Sequence, residues 1–477
     1  MLSESLLGNE DGGDNHQWLR LFATVISVAL GSSLQFGFAT GSLNNLEQIV
    51  PADLAAAGNP IVTWQWALIN SMFSVGGLLG SYGVVVPLAY FGRQKTLLLA
   101  NFFVFLSSAF MYYGKVWWVL VLGRISIGVV AGVAQMVAGA YMTEISPIGV
   151  RGSVGVCSQV GIVLGIALAS YLTAPSFAVF GTLDRWRYTF LVPCAFSVFQ
   201  LCVLPFCPKS PAFLIKSQGE EATWQTLKKL HRELSAANHM NALRNELKEG
   251  GNASGKEDMS IADLLRAKNL RKQVLVGILI KIGVQFSGID AIFYYSTLMF
   301  RNADVADPQF ATFLLSLVNV AMTFIALTIM EKAGRRPLLM CTWVGMCCGF
   351  ATIFVASTLG EVYGVVPTLM SNAQVVAMVL TIVSFAVGVG NVEGFIISEI
   401  MPVYAKDTLA SIGQPLNWIA NLTVSTAFPL VFVALGRNTY LIFVGLTAFF
   451  GWFTLTRVPE TKGKTYEQVA KEFERMR

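Results

Sequence analysis

Twelve runs of about twenty apolar residues divide this chain, each long enough to cross the roughly 30 Å hydrocarbon core of a bilayer as a helix. Bounded by charges, Pro and Asn/Asp clusters, they fall at residues 19–43, 64–89, 96–113, 116–142, 152–174, 188–206, 273–299, 309–330, 337–359, 374–398, 408–430 and 439–456. A backbone in lipid must pair its own polar groups, which helices do within one segment. The runs therefore predict an all-α membrane protein. Its 13% of charged residues, against 54% hydrophobic, leave too little polar surface for a soluble domain of this size. The polar stretch 207–272 lies between the sixth and seventh runs and holds "EEATWQTLKKLHREL" and "NALRNELKE", amphipathic at helical spacing.

The expected organisation is a tail (1–18), a six-helix half (19–206), a helical linker (207–272), a second six-helix half (273–456) and a second tail (457–477). Cations orient it: with both tails and the linker in the cytosol, 26 of the 33 Lys and Arg are cytosolic, as the positive-inside rule requires. No basic segment precedes the first apolar run, so an uncleaved first span at the plasma membrane is expected. The seven cysteines show no metal-ligand spacing, and no nucleophile, P-loop or metal constellation occurs. Neither enzyme chemistry, a cofactor, a metal nor nucleic-acid binding is indicated; the lipid bilayer and a small molecule are the expected partners, with the monomer as working unit.

The halves repeat one another. "TEISPIGVR" matches "SEIMPVYAK", "FGRQK" echoes "AGRRP", and "CPKSP" echoes "VPETK", in the same order. Two parallel six-span halves are the plan of alternating-access transporters with a midplane site. The repeats carry Arg93, Glu144 and Arg151 in the first half and Glu331, Arg335, Arg336, Glu399 and Lys406 in the second, all at cytoplasmic helix ends. They read either as solvated end charges or as gate charges pairing across the halves when the cytoplasmic side is closed.

The stretch "KIGVQFSGIDAIFYYS" places Lys281 and Asp290 within an apolar span, where charge is expensive. An ideal helix puts Lys281 and Gln285 on one face and Asp290 roughly opposite. A break at Ser287-Gly288 would turn Asp290 back. Glu393 lies at a similar depth in span ten, so an intramembrane Lys281–Glu393 pair is expected, against the alternative that Lys281 snorkels or meets backbone carbonyls.

These motifs resemble the sugar porters of the major facilitator superfamily, most closely the facilitative glucose transporters. "LQFGFATGSLN", "GRISIG", "EISPIGVRG", "SQVGIVLGI", "QFSGIDAIFYYST", "EKAGRRPL", "LNWIANL" and "VPETKGKT" carry the resemblance across nearly the whole chain. It implies the major facilitator fold and sugar contacts at Gln159, Ile162, Gln285, Asp290, Asn319, Gly394, Asn417, Trp418 and Asn421, with Tyr294 and Tyr295 as an outer gate. Amides both donate and accept, as sugar hydroxyls do. The chain departs from the family pattern at Val284 (a glutamine), Asp290 (an asparagine), Ala386 (a glutamate) and Gly394 (a tryptophan). Proton-coupled members carry an aspartate where Ala39 stands.

The expected function is uniport of a hexose or related polyol by alternating access. The alternatives are an organic anion drawn to Lys281, a proton-coupled symporter using Asp290 or Glu393, and a non-transporting sugar sensor. Asp290 itself reads as a hydroxyl acceptor or as a charge favouring a substrate amine.

Overall fold

In the computed structural model, residues 15–147, 150–230, 233–252, 259–362, 368–464 and 466–475 are described; most of the first tail and the side chain of Glu331 lie outside them. The described residues are helical throughout, with no strand. Ten stretches are long and apolar enough to cross a membrane, and one of these, Tyr404–Arg457, contains two helices, Val403–Leu435 and Thr439–Arg457, parted by a turn at Gly436–Asn438. Thr63–Gly83 is also of membrane length but more polar, and it buries Asn70, Ser71, Ser74 and Ser81 against its neighbours. Twelve passes result, as the apolar runs predict.

The close helix contacts follow from small residues, because in lipid apolar surface alone gives no reason for helices to associate. A Cβ on Gly37 would lie 1.8 Å from the Ile162 carbonyl oxygen, and one on Gly165 2.1 Å from that of Leu34, so the first and fifth spans touch backbone to backbone. Gly76, Gly80, Gly128 and Gly132 do the same between Thr63–Gly83 and Trp117–Ile145. Large side chains such as Phe102, Leu122, Val198 and Trp452 point outward, where lipid would cover them.

Four passes are not continuous α-helices; the sixth is an α-helix, Val192–Val203, between the 3-10 segments Trp186–Leu191 and Leu204–Phe206. The first runs from Asn15–Val28 through a π-helical turn, Ala29–Ser33, to Leu34–Gly41, with the Gln200 amide donating to the Ser27 carbonyl and the Ser32 hydroxyl. The seventh is Arg271–Phe286 and Ile289–Asn302, broken at Gly288 (φ +90°). The break falls at the Ser287-Gly288 pair named from the sequence. Only glycine takes this backbone without cost, and a Cβ there would also meet Phe443 and Phe350. The tenth is Thr368–Val387 and Val389–Ile400, and this break was not foreseen, since no proline marks it. Thr342 causes it from span nine: its hydroxyl donates to the Ser384 carbonyl and accepts from the Val389 N–H (both 2.9 Å), while Asn391 caps the Ala386 carbonyl (2.7 Å).

The short helices Pro211–Ser217, Gly219–Leu230, Glu233–Asn252 and Ile261–Arg266 and the terminal helix Tyr466–Arg475 sit at one end of the bundle, here termed the linker face. Two buried clusters near this face belong each to one half, around Tyr141 and around Trp343. A third cluster is common to both halves, joining Leu43, Phe73 and Trp186 to Tyr295, Phe350 and Phe428. The halves are therefore sealed together away from the linker face and have separate cores near it.

At the linker face Glu460 organises the second half. Burial alone would raise its carboxyl, but the backbone N–H groups of Lys462, Arg335, Arg336 and Thr461 outweigh this and hold it below the ordinary 4.5. A carboxyl lowered on folding stabilises the fold above its unfolded value, and the contribution is lost as pH falls through the lowered one. Glu460→Gln should flatten the melting temperature against pH below about pH 4.5; an unchanged slope would assign the acid sensitivity to other carboxylates.

Candidate functional site

The broken seventh span and the continuous eleventh build one polar network. Gln285 Nε2 donates to Asn417 Oδ1 (3.1 Å), and Asn417 Nδ2 donates to the Lys281 carbonyl (3.1 Å). One turn on, Asn421 Nδ2 donates to both Asp290 Oδ2 (2.7 Å) and Gln285 Oε1 (3.3 Å). Asn421 Oδ1 accepts from the Ser74 hydroxyl and from Tyr294 (3.4 Å). Every hydrogen-bonding position of the Asn421 amide is thereby used. The break at Gly288 makes this possible, since it brings Gln285 and Asp290, from opposite faces of an ideal helix, onto one partner. All four side chains are buried.

Lys281 Nζ and Glu393 Oε1 lie 2.5 Å apart, joining the seventh span to the second half of the tenth. Their side chains are 11% and 17% exposed, so the pair is largely desolvated. It stands one helical turn from Gln285, towards the linker face.

The other residues named from the sequence are distributed as follows. Gln159 is half-buried on the fifth span and Asn319 buried on the eighth; among the described residues neither amide has a hydrogen-bond partner. Ile162 meets the first span through its backbone. Gly394 is exposed, and a Cβ there would meet nothing within 4 Å. Trp418 turns to the first half, where its indole N–H donates to Ser81 (2.9 Å) and its ring stands edge-on to Phe73. Of the two tyrosines, Tyr294 joins the network, while Tyr295 donates to the Ser425 carbonyl (2.8 Å), stacks on Phe428 and walls a cavity of about 1290 Å³ on the sealed side. That cavity is also lined by Glu47, Trp66, Gln374, Arg437 and Tyr440.

The gate charges pair within halves: Arg93 with Glu144 (2.6 Å) and Arg335 with Glu399 (2.9 Å). Arg151 contacts His239 of the linker (2.5 Å), and Arg336 donates to the Leu455 carbonyl (2.5 Å). Lys406 is half-buried and has no carboxylate partner among the described residues. Among the described residues, no pair of gate charges across the halves occurs in this conformation, because the halves have separate cores at the linker face. The halves also differ. Glu460 gathers the second-half turn, whereas Lys209 stands at the matching place in the first, and Arg93 Nε is left buried without an acceptor.

Sequence reading missed the bonds that close the opposite side. Tyr295 is non-helical (φ −138°, ψ 16°), which opens the ladder between Phe293 and Thr297. The Asn44 side chain of the first half fills the gap: Nδ2 donates to the Phe293 carbonyl (2.9 Å) and Oδ1 accepts from the Thr297 N–H (3.1 Å). Asn45 accepts from the Thr297 hydroxyl (2.8 Å), and Arg301 reaches Glu47 (3.3 Å). Gln414 to Gln135 (2.6 Å) is a further bond between the halves. The only signal for Asn44 was its place at the end of "LQFGFATGSLN".

Two outcomes follow for variants. Glu393→Gln strands Lys281 in a desolvated place and should destabilise the protein by about 3 kcal/mol, whereas Lys281→Met with Glu393→Met should recover most of the loss. Equal melting of Glu393→Gln and wild type would show the pair to be dispensable. Asn44→Ala removes the side-chain bridge, and amide exchange at Thr297 should rise by roughly tenfold or more; unchanged exchange would place the clamp elsewhere.

The family profile described as "Sugar (and other) transporter" matches residues 24–473. The chain is 31% identical over 463 residues to the mouse protein named solute carrier family 2, facilitated glucose transporter member 3, covering 94% of this chain and 92% of that one. It is 31% identical to the human protein of the same name, with 94% and 91% covered. Among solved structures it is similar to a partially occluded inward-open conformation of the xylose transporter XylE from E. coli, with a TM-score of 0.77, 23% identity, and 93% and 99% of the two chains covered. It is also similar to the proton:xylose symporter XylE bound to 6-bromo-6-deoxy-D-glucose, with a TM-score of 0.75, 23% identity, and 96% and 100% covered. With twelve passes in two halves and a family match over nearly its whole length, this chain belongs to the sugar porter family of the major facilitator superfamily, like the facilitative glucose transporters.

Proposed function

We propose that the chain is a facilitative transporter of a hexose or related polyol, working as a uniporter. The observation that carries this reading is the amide set: Gln285, Asn417 and Asn421 in one hydrogen-bonded network, with the amides of Gln159 and Asn319 without hydrogen-bond partners among the described residues. Amides that donate and accept can replace the water a hydroxyl-rich solute loses on entry. The glucose-transporter names of the relatives point the same way.

Uniport is favoured by the surroundings of Arg124. This buried guanidinium donates to the carbonyls of Ala39 (2.6 Å) and Asn70 (3.4 Å) and lies over the Phe73 ring. No carboxylate answers it at position 39, so the proton carrier of coupled family members has no counterpart there. Transport of an organic anion is disfavoured because the charge of Lys281 is already taken by Glu393.

In this reading residues 19–206 and 273–456 are the moving halves, 207–272 bridges them in the cytosol, both tails are cytosolic, and one chain in the plasma membrane is the working unit. The linker face is then the cytoplasmic one. The conformation described has its outer side closed by Asn44 and Asn45, with the cytoplasmic charges drawn into their own halves. Opening the outer side would withdraw Asn44 from the seventh span and let the Arg93–Glu144 and Arg335–Glu399 clusters meet.

Reconstitution into liposomes with labelled hexoses, polyols and organic anions tests the proposal. Saturable hexose or polyol uptake, counterflow, and indifference to a pH gradient are expected. Gln285→Ala and Asn417→Ala should each raise the half-saturation concentration by roughly tenfold or more. Uptake driven by an imposed pH gradient, or confined to anions, would overturn it.

A further inference from the structure

The network around Asn421 has one member whose bonding is incomplete. An ionised carboxylate accepts up to about four hydrogen bonds, yet Asp290 receives a single one, from Asn421 Nδ2 to its Oδ2. Among the described residues no donor reaches Oδ1. The residue as a whole is 7% exposed. The cations nearby are committed elsewhere: Lys281 is held by Glu393 at 2.5 Å, and Arg124 is spent on two backbone carbonyls and a ring. Tyr294, beside Asp290 on the same helix, gives its hydroxyl to Asn421 Oδ1. Within this polar cluster of the second half, two acids stand against one base.

A buried carboxyl without a counter-charge is expensive to ionise, and a cation offered to it favours the ionised, paired form. Such a partner must present a donor to Oδ1, beside amides suited to hydroxyls. At Gly394, where the family has a tryptophan, a Cβ would meet nothing within 4 Å. Asn421 cannot supply further donors, because both its N–H groups are already used, on Asp290 and on Gln285.

We propose that Asp290 makes the central site prefer a hydroxyl-rich substrate bearing a protonated amine, an amino sugar, over its neutral counterpart. This rests on the sugar-transport reading above and names the specificity of that same site. The ammonium occupies the open Oδ1 side of Asp290 while the ring hydroxyls meet Gln285, Asn417 and the free amides. Asp290 acts by direct contact and charge, and Asn421 positions it. With the amide of the family in its place, the same pocket has no charge preference.

The test uses the full-length wild-type protein in liposomes, presented with a 2-amino-2-deoxyhexose, the matching 2-deoxyhexose and the N-acetylated amino sugar. Wild type should take up the amino sugar with the highest kcat/KM, and that uptake should carry an inward positive current, whereas the two neutral sugars carry none. Asp290→Asn should lower the ratio of amino-sugar to 2-deoxyhexose kcat/KM by roughly ten- to hundredfold, the size expected when a charge-assisted hydrogen bond is lost. If that variant does not fold, the wild-type preference and current decide alone. Neutral sugar uptake with the amino sugar excluded, or a ratio unmoved by Asp290→Asn, would overturn the inference and leave sugar transport standing. Absence of any sugar uptake would overturn both.

Discussion

Everything in this structure answers to one constraint: a backbone group inside hydrocarbon must find a partner within the protein. Where helices are continuous the constraint is met silently. At Gly288 the span's own Ser287 bonds the Val284 carbonyl and the Ile289 N–H; at three other breaks a side chain from a neighbouring helix supplies the bond. Gln200 does so at the π-turn of the first span, Thr342 at Gly388, and Asn44 between Phe293 and Thr297. Each of these three breaches is thus tied to another span, and at Asn44 to the other half of the molecule. Freed backbone and the side chains that repair it are what allow a helix to have two arrangements of similar energy, which alternating access needs.

The same logic places charge. Lys281 and Glu393 are tolerable because each is the other's partner, and the Lys281 carbonyl is used by Asn417, so the pair is joined to the sugar-type network without adding net charge to it. Glu460 is tolerable because four backbone N–H groups surround it. Asp290 is satisfied less fully, with one hydrogen bond and no ion pair among the described residues. In the proposed reading this carboxylate sits where a substrate would make contact, which is where such an imbalance has a use.

Much of this was legible from residues alone. Twelve apolar runs, a polar interruption after the sixth and the repeated gate motifs led to two six-helix halves, because span length and charge distribution depend on the bilayer and hardly on packing. Gln285, Asn417 and Asn421 were identified by motif, and the structure brings them together. The Lys281–Glu393 contact could be anticipated from depth, since rise per residue is constant along a helix. The break at Gly388 could not: its cause, Thr342, lies 46 positions earlier in the chain. Nor could the pairing of Glu144 and Glu399 within their own halves, since both arrangements use the same residues and differ only in how the halves are disposed.

By itself, then, the sequence determined which segments enter the membrane, how many there are, and which polar side chains they carry with them, for these follow from transfer of residues between water and lipid. Only the tertiary structure decided which of those polar groups satisfy one another. It made Asn421 the centre of the network, turned Trp418 towards Ser81 and set Asn44 into a gap of the seventh span. The physical reason is that hydrogen bonds act over about 3 Å and at fixed angles, so pairing depends on helix rotation and breaks that hydropathy along the chain does not encode.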